Sequence, residues 1–135
     1  MKNRSELREV IMKVLYQVFM MEEAHIKYNV DELIEEQLEV ENDFVKEIVY
    51  GVIKNKKKLY AIADKHLKDW ECSRLSIPDQ AIIASAIYEL KETDTPSIVV
   101  INEAIELAKK YSDDKVVKMI NACLDSIYHD EENNG

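Results

Sequence analysis

Residues 96–111 read PSIVVINEAIELAKKY, and the fold class turns on whether this stretch is strand or helix. Thr95-Pro96 reads as a helix start: a capping hydroxyl, then a proline whose missing N–H costs nothing in a first turn. The run Ile98-Val99-Val100-Ile101 on its own would suit a short buried strand. However, Ile101, Ala104, Ile105 and Ala108 recur at helical spacing for two further turns without a turn signal. That pattern predicts a helix over 96–111. Its small alanines at 104 and 108 leave room for a neighbouring helix to approach closely.

The flanking segments repeat the signal. In 73–90, Ser76 and Asp79 have capping-box spacing, with Asp in place of the usual Glu, and Pro78 falls in the first turn. Ile82, Ile83, Ala86, Ile87 and Leu90 form its apolar face. In 113–127, Asp113 or Asp114 opens a helix whose stripe is Val116, Val117, Ile120, Leu124 and Ile127. Nearer the N-terminus, Leu7, Ile11, Val14, Val18 and Met21 step by helical intervals and predict a helix from about Ser5 to Glu23. Tyr28-Asn29 reads as a connector, and 31–38 as a short acidic helix. Asn42 or Asp43 caps the next helix, in which Phe44, Val45, Ile48, Val49, Val52 and Ile53 point inward. Gly51 inside that helix costs about 1 kcal/mol relative to Ala, which points to a close crossing there. Whether the chain breaks at 55–58 is left open by the sequence.

The chain has 135 residues with only 2 Gly and 2 Pro, so turns are few and an all-α class is expected. The length suits a single domain over 1–128, with 129–135 as a frayed polar tail. No apolar run approaches the roughly 18 residues of a membrane span, and the N-terminus lacks a signal-peptide core, so a cytoplasmic protein is expected. The predicted core includes Ile11, Val14, Ile48, Val52, Ile87, Ile101, Ile105, Ile120 and Leu124. Cys72 and Cys123 lack metal-ligand spacing and read as buried or idle thiols. His25, His66 and His129 are far apart, so no metal site or cofactor is expected. No phosphate-loop, dinucleotide or nucleophile-elbow motif is present, and no catalytic residues are assigned.

Net charge is -9, which taken alone disfavours nucleic acid. Its distribution is uneven. Residues 1–21 carry four bases against two acids, and residues 54–68 carry six bases against one acid. Residues 22–47 carry ten acids against two bases, and residues 69–135 carry fourteen acids against six bases. Two basic islands, one around Lys2, Arg4 and Arg8 and one at Lys54, Lys56, Lys57 and Lys58, thus stand in an acidic background.

Several short runs together resemble the NusB family, the small helical transcription antitermination factors of bacteria. They are Arg74-Leu75 with Asp79; Tyr88-Glu89-Leu90; Val100-Ile101-Asn102-Glu103-Ala104 with Glu106-Leu107-Ala108-Lys109; Lys118, Asn121, Leu124 and Asp125; and Leu15-Tyr16. The resemblance implies a compact set of about seven helices in two packed subdomains, without enzymatic activity. It implies pairing with ribosomal protein NusE, binding of boxA-type single-stranded RNA by the pair, and service to the transcription elongation complex on ribosomal RNA operons. A homodimer is left open. Carried over residue by residue, it implies RNA contacts from Lys2, Arg4, Arg8 and Lys118, with Tyr16 as a stacking or packed residue, and a partner contact at Asp79. The chain departs from the family pattern at Ser5 and Glu6, within the usual arginine-rich run. It departs again at Met119 and Ala122, where the family commonly has Phe and Gly, and at Ala84, where Arg is frequent. A protein-interaction scaffold with weak or lost RNA binding is therefore the alternative reading. A small helical enzyme is a third, which the lack of a convergent polar set disfavours.

Overall fold

The computed structural model describes residues 2–134. Among these the chain forms seven α-helices and one short 3-10 turn, with no strand. The helices are α1 (Arg4–Glu23), α2 (Val30–Gln37), α3 (Asp43–Lys54), α4 (Lys56–His66), α5 (Ile77–Glu92), α6 (Ser97–Tyr111) and α7 (Asp114–Asn134), with the 3-10 turn at Cys72–Arg74.

The stretch read as a helix forms one over Ser97–Tyr111, with Pro96 as its cap, but α5 is the element on which the others assemble. It packs against α1, α3, α4, α6 and α7. Its buried residues are Asp79, Gln80, Ala81, Ile82, Ile83, Ala84, Ala86, Ile87, Glu89 and Leu90, so it is enclosed around most of its circumference rather than along one stripe. A helix apolar on all sides is stable only inside other helices. Ala84 is 1% exposed. All nine predicted core residues lie in or against the core: Ile105 is half-buried and the other eight are buried.

The helix ends follow local chemistry. α1 begins with a full capping box that the sequence reading passed over: the Asn3 side chain accepts from Glu6 N–H, and Glu6 Oε1 accepts from Asn3 N–H at 3.1 Å. Asn42 caps α3 through Val45 N–H. At α5 only half of the expected box forms. Ser76 Oγ accepts from Asp79 N–H, while the Asp79 carboxylate turns away to accept from the Ser112 hydroxyl. At α6 the cap is Pro96, with no side-chain hydrogen bond, so Thr95 does not serve as the capping residue. The open question at 55–58 resolves as a one-residue elbow. Asn55 closes α3 and opens α4, and its Nδ2 donates to Gly51 O at 2.8 Å.

The reading of 129–135 as a frayed tail needs correction, because α7 continues to Asn134. Lys91 on α5 reaches Glu131 at 2.6 Å, and Tyr128 donates to Glu132 one turn on. These contacts give polar residues a reason to stay helical. α7 is also tied to α4: His66 Nδ1 lies 2.8 Å from Ser126 Oγ, and Nε2 lies 3.4 Å from Asp130.

Cys72 and Cys123 are free and buried, and burial pushes both thiols up to about 12. Gln80 closes the approach to α5. It accepts from the Tyr60 hydroxyl at 2.6 Å and donates to Leu75 O at 2.8 Å.

Gly51 sits where α3 crosses α5, and a Cβ there would overlap the Tyr88 ring. Gly51→Ala should therefore lower stability, because the ring must leave its place, despite the helix-propensity gain of about 1 kcal/mol. In a Tyr88→Ala background the same change should stabilise by about that amount. Denaturant unfolding of the four proteins checks this, and equal effects of Gly51→Ala in both backgrounds would remove the crossing from the account.

Candidate nucleic-acid and partner interface

Three of the expected RNA contacts lie at the start of α1 or just before it, and their placements differ. Lys2 and Arg4 are exposed. The Arg4 guanidinium lies 3.9 Å from the centroid of the Phe44 ring, which comes from the first turn of α3. A guanidinium on an aromatic face keeps its charge while its direction is fixed.

Arg8 instead points inward. It is 8% exposed and forms a two-pronged pair with Glu89 of α5, Nε to Oε1 at 2.9 Å and Nη2 to Oε2 at 2.6 Å. Its Nη1 lies 3.7 Å from Glu103 of α6. Glu103 in turn accepts from Ser5 Oγ at 2.6 Å. The hydrogen bond to Glu89 raises the guanidinium pKa further, against the opposing effect of burial. Arg8 also lies 5.4 Å from the Phe44 centroid, so it supports the ring on which Arg4 rests. The expectation that Arg8 offers its charge to phosphate does not fit this geometry. A buried arginine with two carboxylates beside it is already neutralised.

One turn along α1, Glu9 accepts from the Tyr111 hydroxyl and lies 3.2 Å from Lys110 Nζ. The Tyr111 hydrogen bond holds the Glu9 carboxyl below its usual range, and the same bond pushes Tyr111 up to about 12. The folded-state value of Glu9 is depressed. Its contribution is therefore present above the ordinary carboxylate range and lost as pH falls through that depressed value. Tyr16 is half-buried, and Lys118, on α7, is exposed. No hydrogen bond, ion pair or ring contact joins Tyr16 or Lys118 to the Arg4–Phe44 cluster among the described residues.

Asp79 is 5% exposed and bonded to Ser112. Its carboxylate fastens the start of α5 to the joint between α6 and α7, so it neither caps only its own helix nor faces solvent. In the second basic island, Lys56 is occupied internally. Its Nζ lies 4.2 Å from the Phe19 centroid and 3.4 Å from Glu22. Lys54, Lys57 and Lys58 are exposed. No group of three or more metal-ligating side chains occurs among the described residues, and no helix is long and apolar enough to cross a membrane.

Sequence reasoning missed Phe44 as the seat of Arg4, and Glu89 and Glu103 as partners of Arg8. Glu89 had a signal: it falls seven residues after Ile82 and three after Ala86, on the apolar side of its helix. An acid in that position needs a buried partner.

Seven helices packed around α5, with one exposed arginine seated on an aromatic ring, define the chain as a small all-helical domain. Within that class the chain belongs to the NusB family, whose sequence model matches residues 5–129. It is similar to the transcription antitermination protein NusB of Pediococcus pentosaceus, 37% identical over 128 residues, covering 93% of this chain and 96% of that one. The solved structure of T. maritima NusB superposes with a TM-score of 0.77 at 30% identity, covering 94% of this chain and 92% of the other. A chain from the crystal structure of antitermination factors NusB and NusE in complex with dsRNA has the same fold, with a TM-score of 0.77 at 24% identity, covering 93% and 96%.

Removing one member of the Arg8–Glu89 pair leaves a buried charge unpaired, at a cost of about 3–5 kcal/mol. Arg8→Ala and Glu89→Ala should each lose that much in denaturant unfolding. The double change Arg8→Met with Glu89→Leu should recover most of it, since an apolar replacement of such a pair is often close to neutral. Single-variant losses below about 1 kcal/mol would mean the pair is solvated rather than buried.

Proposed function

We propose that this chain is a transcription antitermination factor that, with a NusE-type ribosomal protein, holds a boxA-type single-stranded RNA for the elongation complex. Family membership and the named function of the relative similar over nearly its whole length support this reading. The observation that carries it is the Arg4 guanidinium, exposed and seated on Phe44 at 3.9 Å in the first turn of α1. It is a fixed cation on a rigid support, which is what a phosphate contact requires. Lys2 and Lys118 add cations, and Tyr16 offers part of an aromatic surface. In this reading Arg8 acts by positioning α1 and Phe44, and Asp79 by holding the α5 and α6 ends that shape the partner surface. No catalytic role is assigned, and the cytoplasm is the expected site of action.

The second reading is a protein-interaction scaffold on the same fold with weak RNA binding. The burial of Arg8 favours it, because one fewer cation reaches the surface of a chain with net charge -9.

Salt dependence separates the two. Each phosphate neutralised on a single strand contributes a slope of about -0.7 in log K against log salt. Lys2, Arg4 and Lys118 together imply a slope of about -2 from this protein. Arg4→Ala with Lys118→Ala should make the slope shallower by about 1.4. Affinity for boxA-type RNA, measured with the ribosomal partner present, should fall while the melting temperature stays put. Unchanged slope and affinity would favour the scaffold reading.

A further inference from the structure

The four residues 68–71 lie between α4 and the 3-10 turn, and they hold the only tryptophan of the chain. On either side the backbone is anchored. Leu67 and Cys72 are buried, and Cys72 N–H donates to Asp64 at 2.7 Å. Asp69 adopts a φ of 65°, a left-handed turn that Asp tolerates better than most residues. The turn holds Trp70 outward, with 43% of its surface exposed. A single exposed apolar residue needs no explanation of its own, but an indole on an anchored loop offers a large flat face at little ordering cost.

What surrounds it selects the kind of contact. Lys115, in the first turn of α7, places its ammonium 5.8 Å from the indole centroid. Lys118 follows three residues on, along the same side of α7. Lys68 precedes Trp70 by two residues and is exposed. The nearby acids are largely engaged: Asp64 accepts from Cys72 N–H, Asp113 caps Val116 N–H at 3.0 Å, and Glu71 lies 3.6 Å from Arg74. Asp69 and Asp114 remain. An indole with a lysine over one side of its ring, a second exposed lysine two residues before it and a third one turn along α7 is a combination that suits single-stranded nucleic acid, with a base on the open side of the ring and phosphates on the cations. A basic protein segment would meet the lysines unfavourably.

We propose that Trp70 is a base-stacking residue for single-stranded RNA, with Lys115 and Lys118 taking the flanking phosphates. This deepens the antitermination reading and rests on it. It extends the RNA surface from the start of α1 to the junction of α4, α5 and α7.

Because the chain has one tryptophan, its fluorescence reports this site directly. Titrating the full chain and its ribosomal partner with a single-stranded oligoribonucleotide should quench the emission, after correction for tryptophan in the partner. The same oligomer with abasic positions should bind with little quenching. Trp70→Ala should weaken binding about 10-fold by anisotropy of labelled RNA, at an unchanged melting temperature, and Trp70→Phe should restore most of it. Lys115→Ala should weaken binding and flatten the salt slope. If RNA binds and Trp70→Ala has parental affinity without quenching in the parent, Trp70 is not a stacking residue and the antitermination reading stands. If Trp70→Ala instead weakens association with the ribosomal protein in the absence of RNA, the indole is a protein contact and the proposal fails. If the parent and partner bind no RNA at all, both readings fall together.

Discussion

One almost fully buried arginine joins three elements of this molecule. Arg8 enters from α1, Glu89 from α5 and Glu103 from α6, so three elements far apart in sequence meet at one charge. Removing an arginine and a carboxylate from water is expensive, and the attraction between them offsets the cost only when the geometry is good. Here it is two-pronged with Glu89, and Glu103 is held in turn by Ser5. Such a pair adds little net stability over an apolar substitute, and its two-pronged contact ties α1 to α5 at one point along each helix. Arg8 also lies beside the Phe44 ring on which Arg4 rests, so the buried pair and the exposed charge of the first turn of α1 share one neighbour.

The run Tyr88-Glu89-Leu90 condenses the packing logic of the whole chain. Tyr88 covers Gly51 at the α3 crossing, Glu89 takes Arg8 of α1, and Leu90 closes the core. Successive residues on a helix point about a third of a turn apart, so three in a row address three neighbours only if the helix is surrounded. α5 meets that condition, and its apolar character on nearly every side follows from it. Of the acids on α5, Asp79 and Glu89 are buried and each has a partner, Ser112 and Arg8.

The helices themselves are legible in the sequence, since apolar residues at three- and four-residue steps leave little choice once turns are scarce. α1 shows where that method stops. The stripe Leu7, Ile11, Val14, Val18 was evident, yet Arg8, Met12, Leu15 and Phe19 form a second buried row beside it. α3, α5 and α2 all pack on α1, so its buried face is wider than one stripe, and Arg8 was read as surface because its own row begins with a charge. Asp79 was misplaced for a related reason. Capping-box spacing assigns an acid to its own helix, whereas its partner Ser112 is remote in sequence. The proposed RNA contacts rest on resemblance, because a lone exposed lysine has no periodicity that would mark a role. Trp70 continues the apolar steps of Leu59, Ile62, Ala63 and Leu67 in sequence, and reads as one more inward residue, yet α4 ends at His66 and the indole is exposed.

The joint between α6 and α7 has a different kind of consequence. Tyr111 bonds to Glu9 of α1, Ser112 to Asp79 of α5, and Asp113 caps α7. Three consecutive residues thus serve three different neighbours, with no spare position among them. One inserted or deleted residue would shift all three tasks at once, so this joint has no tolerance for a change in length. The connections at 24–29 and 38–42 are less constrained, since most of their residues face solvent and fewer bonds cross them. Segments grafted into this chain, or length changes arising in its descent, belong there.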